Sequence, residues 1–357
     1  MMRTIGVTGA AGHLGGVLVR RLIEKGYRVK AFCHRDVRAL EGLAAELVWG
    51  DVLDSESVAA FAHGCDVVVH CAAIISITGA QHGLVFRSNT EGPRNVVAAC
   101  IKADVPRLIH VSSVHAVKEL SGRPVFDETN PRKEKDSPAY DYSKACGEQI
   151  VLEAFRAGTL SGCIMRPSAI FGPYDFKPSK LGQATLDLYR GHIPVLPPGG
   201  YNFVDVRDVA EGICSAISAP SSVLNGPFQN LSDSAIPEKS TEVDTVGAAE
   251  DDPIFNLTGR YCSMNEYASL IEQQGGHRSP RISLTASVMV ALLPFVKLWA
   301  RATHMEQAYT GEMIHALTSG HRNMRSDRAR KAFGFNPRPL EETVQDFIAW
   351  EKERGNL

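Results

Sequence analysis

In the stretch AYDYSKACGE, residues 139–148, two tyrosines stand just ahead of a lysine. A helix turns ~100° per residue, so positions four apart share a face and positions two apart do not. Tyr140 and Lys144 therefore reach one ligand together, while Tyr142 points to the other side. An ammonium beside a phenol favours the phenolate and lowers the phenol's pKa, which suits a tyrosine to acid–base work near neutrality. Apolar spacing continues at Ala145, Ile150, Val151, Ala154 and Phe155, so the pair is expected in the first turns of an amphipathic helix. The motif is short and common, and a packed tyrosine beside a solvated lysine reads this stretch alone equally well.

A second chemical signal lies at the start. In VTGAAGHLGG, Gly9, Gly12 and Gly15 fall at three-residue steps between a first strand and its helix. Glycine there permits a tight turn and close approach of backbone to a pyrophosphate, while the helix N-terminus supplies unpaired N–H donors to the anion. The spacing is not G-x-G-x-x-G; with Thr8 it reads T-G-x-x-G-x-x-G.

The elements that must position these residues follow an alternating pattern. RTIGVTG, YRVKAFCHR, LVWGDV, DVVVHCAA, RLIHVSS and SGCIMRPS read as strands. Between them, helical patterns run through GGVLVRRLIEKG, VRALEGLAAE, SESVAAFAHG, a segment opened by Gly92 and Pro93, and the tyrosine helix. Near-continuous apolar strands alternating with helices predict an α/β fold: a Rossmann-like, doubly wound parallel sheet of at least six strands, covered on both faces. From about residue 173 the pattern loosens into Pro- and Gly-rich stretches, where a smaller substrate lobe is expected. Domain 1–172, completed by segments near 201–219 and 253–262, would bind the dinucleotide; 173–200 and 263–357 would form the substrate-binding lobe. Residues 220–252 are polar and acidic and read as a flexible insertion. IFNLTG resumes as a strand, Ser263 ahead of Glu266 has capping-box spacing, and two further helices separated by a Pro-containing turn close the chain.

Composition narrows the function classes. The 357 residues carry 38 basic and 40 acidic side chains and a formal net charge of -2, with no basic block to track a phosphate backbone, so nucleic acid is not an expected partner. Eight cysteines are scattered with no C-x-x-C, which points to reduced thiols in a cytoplasmic protein rather than zinc or disulfides. The opening MMRTIGVTGAAG lacks signal-peptide features, so export is not expected. The apolar run from Val288 to Ala300 is broken by Pro294 and Lys297 and is too short to span a bilayer; a core or cleft-lining helix is expected.

The glycine motif, GDVLD at 50–54, HCAA at 70–73, NTEGPRNV at 89–96, HVSS at 110–113, Tyr140 with Lys144, RPSAIFGP at 166–173 and FVDVRDVA at 203–210 occur in a fixed order. Together they resemble the extended branch of the short-chain dehydrogenase/reductase superfamily, the NAD-dependent epimerase/dehydratase family, and within it the dihydroflavonol-reductase and 3β-hydroxysteroid-dehydrogenase group. The resemblance implies Tyr140 as general acid or base at a carbonyl/alcohol carbon. It implies Lys144 as the residue that binds the nicotinamide ribose and depresses the tyrosine's pKa. Ser113 would bond the substrate oxygen, with Ser112 its rival; strand alternation favours Ser113. The implied cofactor contacts are Thr8, Gly9, Gly12, His13, Leu14, Gly15, His34, Arg35, Asp51, Val52, Cys71, Ala72, Ala73, Asn89, Tyr140, Lys144, Pro167 and Ser168. At the end of the second strand, His34 and Arg35 favour NADP(H), while Asp36 keeps NAD(H) open. No metal is expected.

Dehydratases of this family carry an Asp-Glu pair after the active Ser/Thr; here those positions are Val114 and His115, so water elimination is not expected. Nucleotide-sugar enzymes place an arginine two residues ahead of the equivalent of Phe203; here that position is Tyr201, which argues against a diphosphate substrate unless Arg322 or Arg325 supplies the charge. Lys177, Lys180 and Arg207 read equally well as surface charges. The expected activity is hydride transfer between nicotinamide and a carbonyl or secondary alcohol of a small amphipathic substrate. A sugar 4-epimerase with tightly held NAD and a non-catalytic NAD(P)-sensing protein are the alternatives. Family members often dimerise through a four-helix interface that includes the tyrosine helix, so a homodimer is compatible with the resemblance.

Overall fold

Strands β1 (Thr4–Thr8), β2 (Arg28–Cys33), β3 (Glu46–Trp49), β4 (Val67–His70), β5 (Leu108–Val111) and β6 (Gly162–Pro167) form one parallel sheet in the computed structural model. The structure describes residues 2–76, 79–120, 122–224, 247–280, 284–291, 311, 314, 317–318 and 320–357. After β7 (Ala169–Phe171) and β8 (Gly200–Asp205), strand β9 (Ile254–Leu257) returns to pair parallel with β6 and completes the order β3-β2-β1-β4-β5-β6-β9. The order reverses between β1 and β4, which opens a crevice at the carboxyl ends of those strands.

Alternation within each strand explains the double covering. Val67 and Val69 face one core with Ile5 and Val7, packed by helices α1 (His13–Glu24) and α6 (Val206–Ser218). Val68 faces the other with Leu108 and Ile164, packed by α2 (Ser55–Ala62), α3 (Leu84–Lys102) and α4 (Ala139–Arg156). Both faces are dry, so the strands read as unbroken apolar runs.

Two helical expectations are corrected. VRALEGLAAE forms only a 3₁₀ turn at Arg38–Leu40, because the Asp36 carboxylate takes the Arg38 backbone N–H at 3.1 Å and Gly42 follows in the left-handed region at φ +74°. Pro93 does not open its helix but sits inside α3, which starts at Leu84. There the helix is tightly braced: a Cβ on Gly147 of α4 would lie 2.2 Å from the Asn89 carbonyl, so only glycine allows the two helices this approach.

Helices α5 (Lys180–Tyr189), α7 (Ser221–Leu224), α8 (Met264–Gln273), α9 (Asp327–Phe333) and α10 (Leu340–Glu353) lie in the second half of the chain. The side chains of Asp54, Ser179, Asp205 and Ser263 each accept a backbone N–H in the first turn of the helix they precede, as the Ser263 and Glu266 spacing predicts for α8. A second sheet, β7-β8-β10 with β10 at Arg260–Ser263, packs on α5, α8 and α10 around Phe171, Phe203, Tyr267 and Phe347. Between β9 and the chain end, α9 rejoins the large sheet, with Phe333 edge-on to Phe255 at 4.6 Å.

Within 220–252, Leu224 and Ala248 enter the core and Asp252 holds Arg156 through two hydrogen bonds of 2.7 and 3.0 Å; residues 225–246 lie outside the described residues. So do residues 292–300 of the apolar run. No helix among the described residues is long and apolar enough to cross a membrane. All eight cysteines are free thiols.

Candidate active site and dinucleotide crevice

Gly9 sits at φ +65°, and a Cβ on Gly15 would lie 2.1 Å from the Gly9 carbonyl, so the turn between β1 and α1 exists only with glycine at both places. Gly12 precedes α1 with no side-chain cap, leaving the N–H groups of His13, Leu14 and Gly15 open to an outside acceptor. This cradle, which a side chain would fill, fits a dinucleotide pyrophosphate. His13 turns its ring to the Pro173 carbonyl at 3.0 Å and ties the turn to the second lobe.

Thr8 closes the crevice floor. Its hydroxyl lies 2.7 Å from His70 Nδ1 and accepts the Ala72 N–H at 3.3 Å, while its carbonyl accepts from Cys71. Ala73 follows, exposed, at the crevice edge. Asn89, expected at the cofactor, turns its amide to the Ile74 backbone at 2.9 and 3.0 Å and to Ser143 Oγ at 2.9 Å. It is a strut between the loop after β4 and helix α4.

At the end of β2, His34 and Arg35 are exposed. Arg38, which the sequence reading did not single out, grips Asp36 with contacts of 2.6 to 3.1 Å and holds its carboxyl down at about 2. The acid that kept NAD open is thus already paired. Asp51 accepts the Leu53 N–H at 2.9 Å and stands 3.7 Å from His34 Nε2, and the Val52 carbonyl accepts from Asn95.

The Ser113 hydroxyl neighbours the Tyr140 phenol and pulls its pKa down. Ser112 faces away and donates to Glu148 at 2.8 Å, so the two neighbouring serines serve different sites. Lys144, one turn beyond Tyr140, donates to the Val111 carbonyl at 2.9 Å. Tyr142 lies on the other side of the helix against Phe86, ring centroids 5.7 Å apart.

In the protein alone, burial pushes the Tyr140 phenol up to about 12, with Ser113 pulling against it, and burial brings Lys144 down to about 8. Desolvation is the largest influence on both groups. One turn further along α4, Glu148 is fully buried. Burial raises its carboxyl, but Arg166, in a bidentate pair at 2.5 and 2.8 Å, and Arg132 at 3.2 Å bring it down to about 2.

Beyond β6, Pro167 ends the strand and the buried Ser168 hydroxyl has no hydrogen-bond partner among the described residues. In the second sheet Tyr201 packs edge-on to Phe203 at 5.9 Å; Arg322 lies over the Tyr261 ring and Arg325 pairs with Asp327. Arg207 pairs with Asp205 and Asp346 and is structural. No group of metal-binding side chains occurs among the described residues.

Residues 5–231 match the family described as NAD dependent epimerase/dehydratase. The sterol demethylase protein B of Methylococcus capsulatus is 31% identical over 98% of this chain and 99% of its own length. The 3β-hydroxysteroid-dehydrogenase/decarboxylase isoform 1 of Arabidopsis thaliana is 28% identical over 95% of this chain and 76% of its own. Among solved structures, the crystal structure of gox2253 is 29% identical with a TM-score of 0.78 and full coverage of both chains.

Proposed function

The chain belongs to the NAD dependent epimerase/dehydratase family and is an NAD(P)-dependent oxidoreductase of the extended short-chain type, and on that premise we propose that it oxidises a ring carbinol of a sterol-like substrate. The observation that carries this reading is Tyr140 beside Ser113 with Lys144 one helical turn away, in a chain whose glycine turn stands at the strand-order reversal. A bound nicotinamide would supply the hydride-accepting chemistry.

The residues take the following roles. Ser113 holds the carbinol oxygen, and Tyr140, as phenolate, takes its proton. Lys144 would hold the nicotinamide ribose and stabilise that phenolate. In the reverse direction Tyr140 donates. His34, Arg35 and Arg38 favour NADP(H), since Asp36 is neutralised before any 2′-phosphate arrives.

Three observations support an apolar, non-nucleotide substrate. Tyr201 stands where a diphosphate-binding arginine is expected, the second lobe is built on an aromatic cluster, and the two relatives matched along nearly the whole chain carry sterol or steroid names.

The test follows reduced-nicotinamide absorbance with NADP+ or NAD+ and 3β-hydroxysteroids with and without a carboxylate on the adjacent carbon. NADP+-dependent formation of a 3-ketosteroid is the expected result. Turnover of UDP-sugars with no response to any steroid alcohol overturns the reading.

A further inference from the structure

Ser113 caps a 3₁₀ turn, Val114–Ala116, by accepting the His115 N–H at 3.1 Å, so the serine beside Tyr140 also fixes the backbone of His115. The His115 ring stands edge-on to Tyr140, with centroids 6.0 Å apart. Its Nδ1 lies 3.2 Å from Asp141 Oδ1, and the other Asp141 oxygen lies 3.5 Å from Lys133 Nζ. A carboxylate on Nδ1 fixes the ring's orientation and leaves Nε2 free to exchange protons. No hydrogen bond reaches Nε2 from the described residues, and the side chain is 38% exposed. Asp141 is nearly buried in the first turn of α4, so the helix that presents Tyr140 also holds the imidazole beside it. Lys144, by contrast, is buried and donates to the Val111 carbonyl. His115 thus touches the phenol on one side and solvent on the other.

Each reduction of a carbonyl takes the proton of the Tyr140 phenol and leaves a phenolate. Burial makes that phenolate a strong base, and the next reduction waits until it is protonated again. We propose that His115, oriented by Asp141, carries this proton between solvent and Tyr140, acting through the tyrosine rather than on the substrate. The inference rests on the hydride transfer with Tyr140 as acid or base proposed above. The step balances as a proton transfer alone. The Nε2–H bond of the imidazolium breaks, its proton passes through a bridging water, and a lone pair of the phenolate oxygen forms the new O–H bond. The neutral imidazole then takes a proton from solvent. In the oxidative direction the same path runs backwards and discharges the phenol.

The surroundings favour the acid form. Burial opposes a charge on His115, but Asp141 and Glu119 raise its pKa; Lys133 acts against them, and His321 lies on the far side of Glu119. Recharging of Tyr140 is therefore complete below this raised pKa and is lost as pH climbs through it.

The experiment mixes the holoenzyme, with NADPH in excess, with a 3-ketosteroid and follows NADPH absorbance through the first and later turnovers. The first turnover uses a phenol already protonated; later ones need the relay. His115→Ala should keep the first turnover within about threefold and slow the later ones by about tenfold, with added imidazole restoring them in a concentration-dependent way. His115→Gln, which preserves a polar side chain of similar reach, carries the same comparison of first and later turnovers if the alanine variant does not fold. Asp141→Asn should move the alkaline limb of the later turnovers to lower pH, a shift that a merely structural role would not produce. Later turnovers unchanged without His115, a first turnover slowed as much as the later ones, or no rescue by imidazole overturns this inference alone. No NADPH consumption by wild type with any steroid ketone instead overturns the hydride transfer on which it rests.

Discussion

Burial lifts the Tyr140 phenol, with the Ser113 hydroxyl pulling against it, and lowers the Lys144 ammonium one helical turn away. Tyr140→Phe should lower kcat by about 10²–10⁴-fold with NADP(H) affinity nearly unchanged, while Tyr142→Phe, which only removes a hydroxyl from a ring stacked on Phe86, should be mild. Steady-state kinetics beside a fluorescence titration of the cofactor separate the two; equal small losses would refute the roles. Cofactor choice is likewise a matter of single side chains. Removing the Arg38 grip exposes the Asp36 carboxylate to a 2′-phosphate, so Arg38→Ala should lower the NADP-to-NAD preference by about tenfold, the worth of one charge-assisted hydrogen bond. The ratio of kcat/KM for the two cofactors measures it. The glycines, the Tyr140 and Lys144 stacking and the strand alternation at Ser113 were all readable from neighbouring letters. Arg38 was not singled out, because its importance depends on a turn that replaced an expected helix.

Helix α4 carries Tyr140, Lys144 and Glu148 at successive turns of one face, and its position depends on two kinds of contact. The first is the close approach to α3. Gly147→Ala would press a Cβ into the Asn89 carbonyl, and should cost about 1–3 kcal/mol in urea unfolding while also disturbing the Asn89 strut to Ile74. The second is the buried ion cluster. Glu148→Gln leaves Arg166 buried without its counter-charge and should cost about 3–5 kcal/mol. The sign of its pH dependence follows from a carboxyl held at about 2, against an ordinary value of about 4.3. Its stabilisation is complete above the ordinary value and is lost as pH falls toward and through 2. Acid melting curves of Glu148→Gln should lack that component. The capping residues of α8 were legible because a cap is a local contact three residues long. The start of α3 was not, because a proline inside a helix is tolerated only when the packing around it compensates.

Across the whole molecule, the proposed function would have the crevice at the order reversal hold the cofactor and the lobe built on the aromatic cluster hold the substrate. Hydrogen exchange should show this division. NADPH should slow the amides of residues 8–15, 33–38 and 71–74, and a bound steroid should add protection near Tyr174 and Tyr201. First protection in the second sheet on adding NADPH would contradict it. The sequence alone determined the parallel sheet, its double covering, the glycine turn and the face shared by Tyr140 and Lys144. Each of these is a periodic or nearest-neighbour property, written in spacings of two, three and four residues. The tertiary structure alone decided that Ser112 serves Glu148 while Ser113 meets Tyr140, that Asn89 braces a loop, and that His115 is held by Asp141 beside the tyrosine. Those outcomes join residues far apart along the chain, and their partners are set by how burial and charge are balanced once the helices have closed on the sheet.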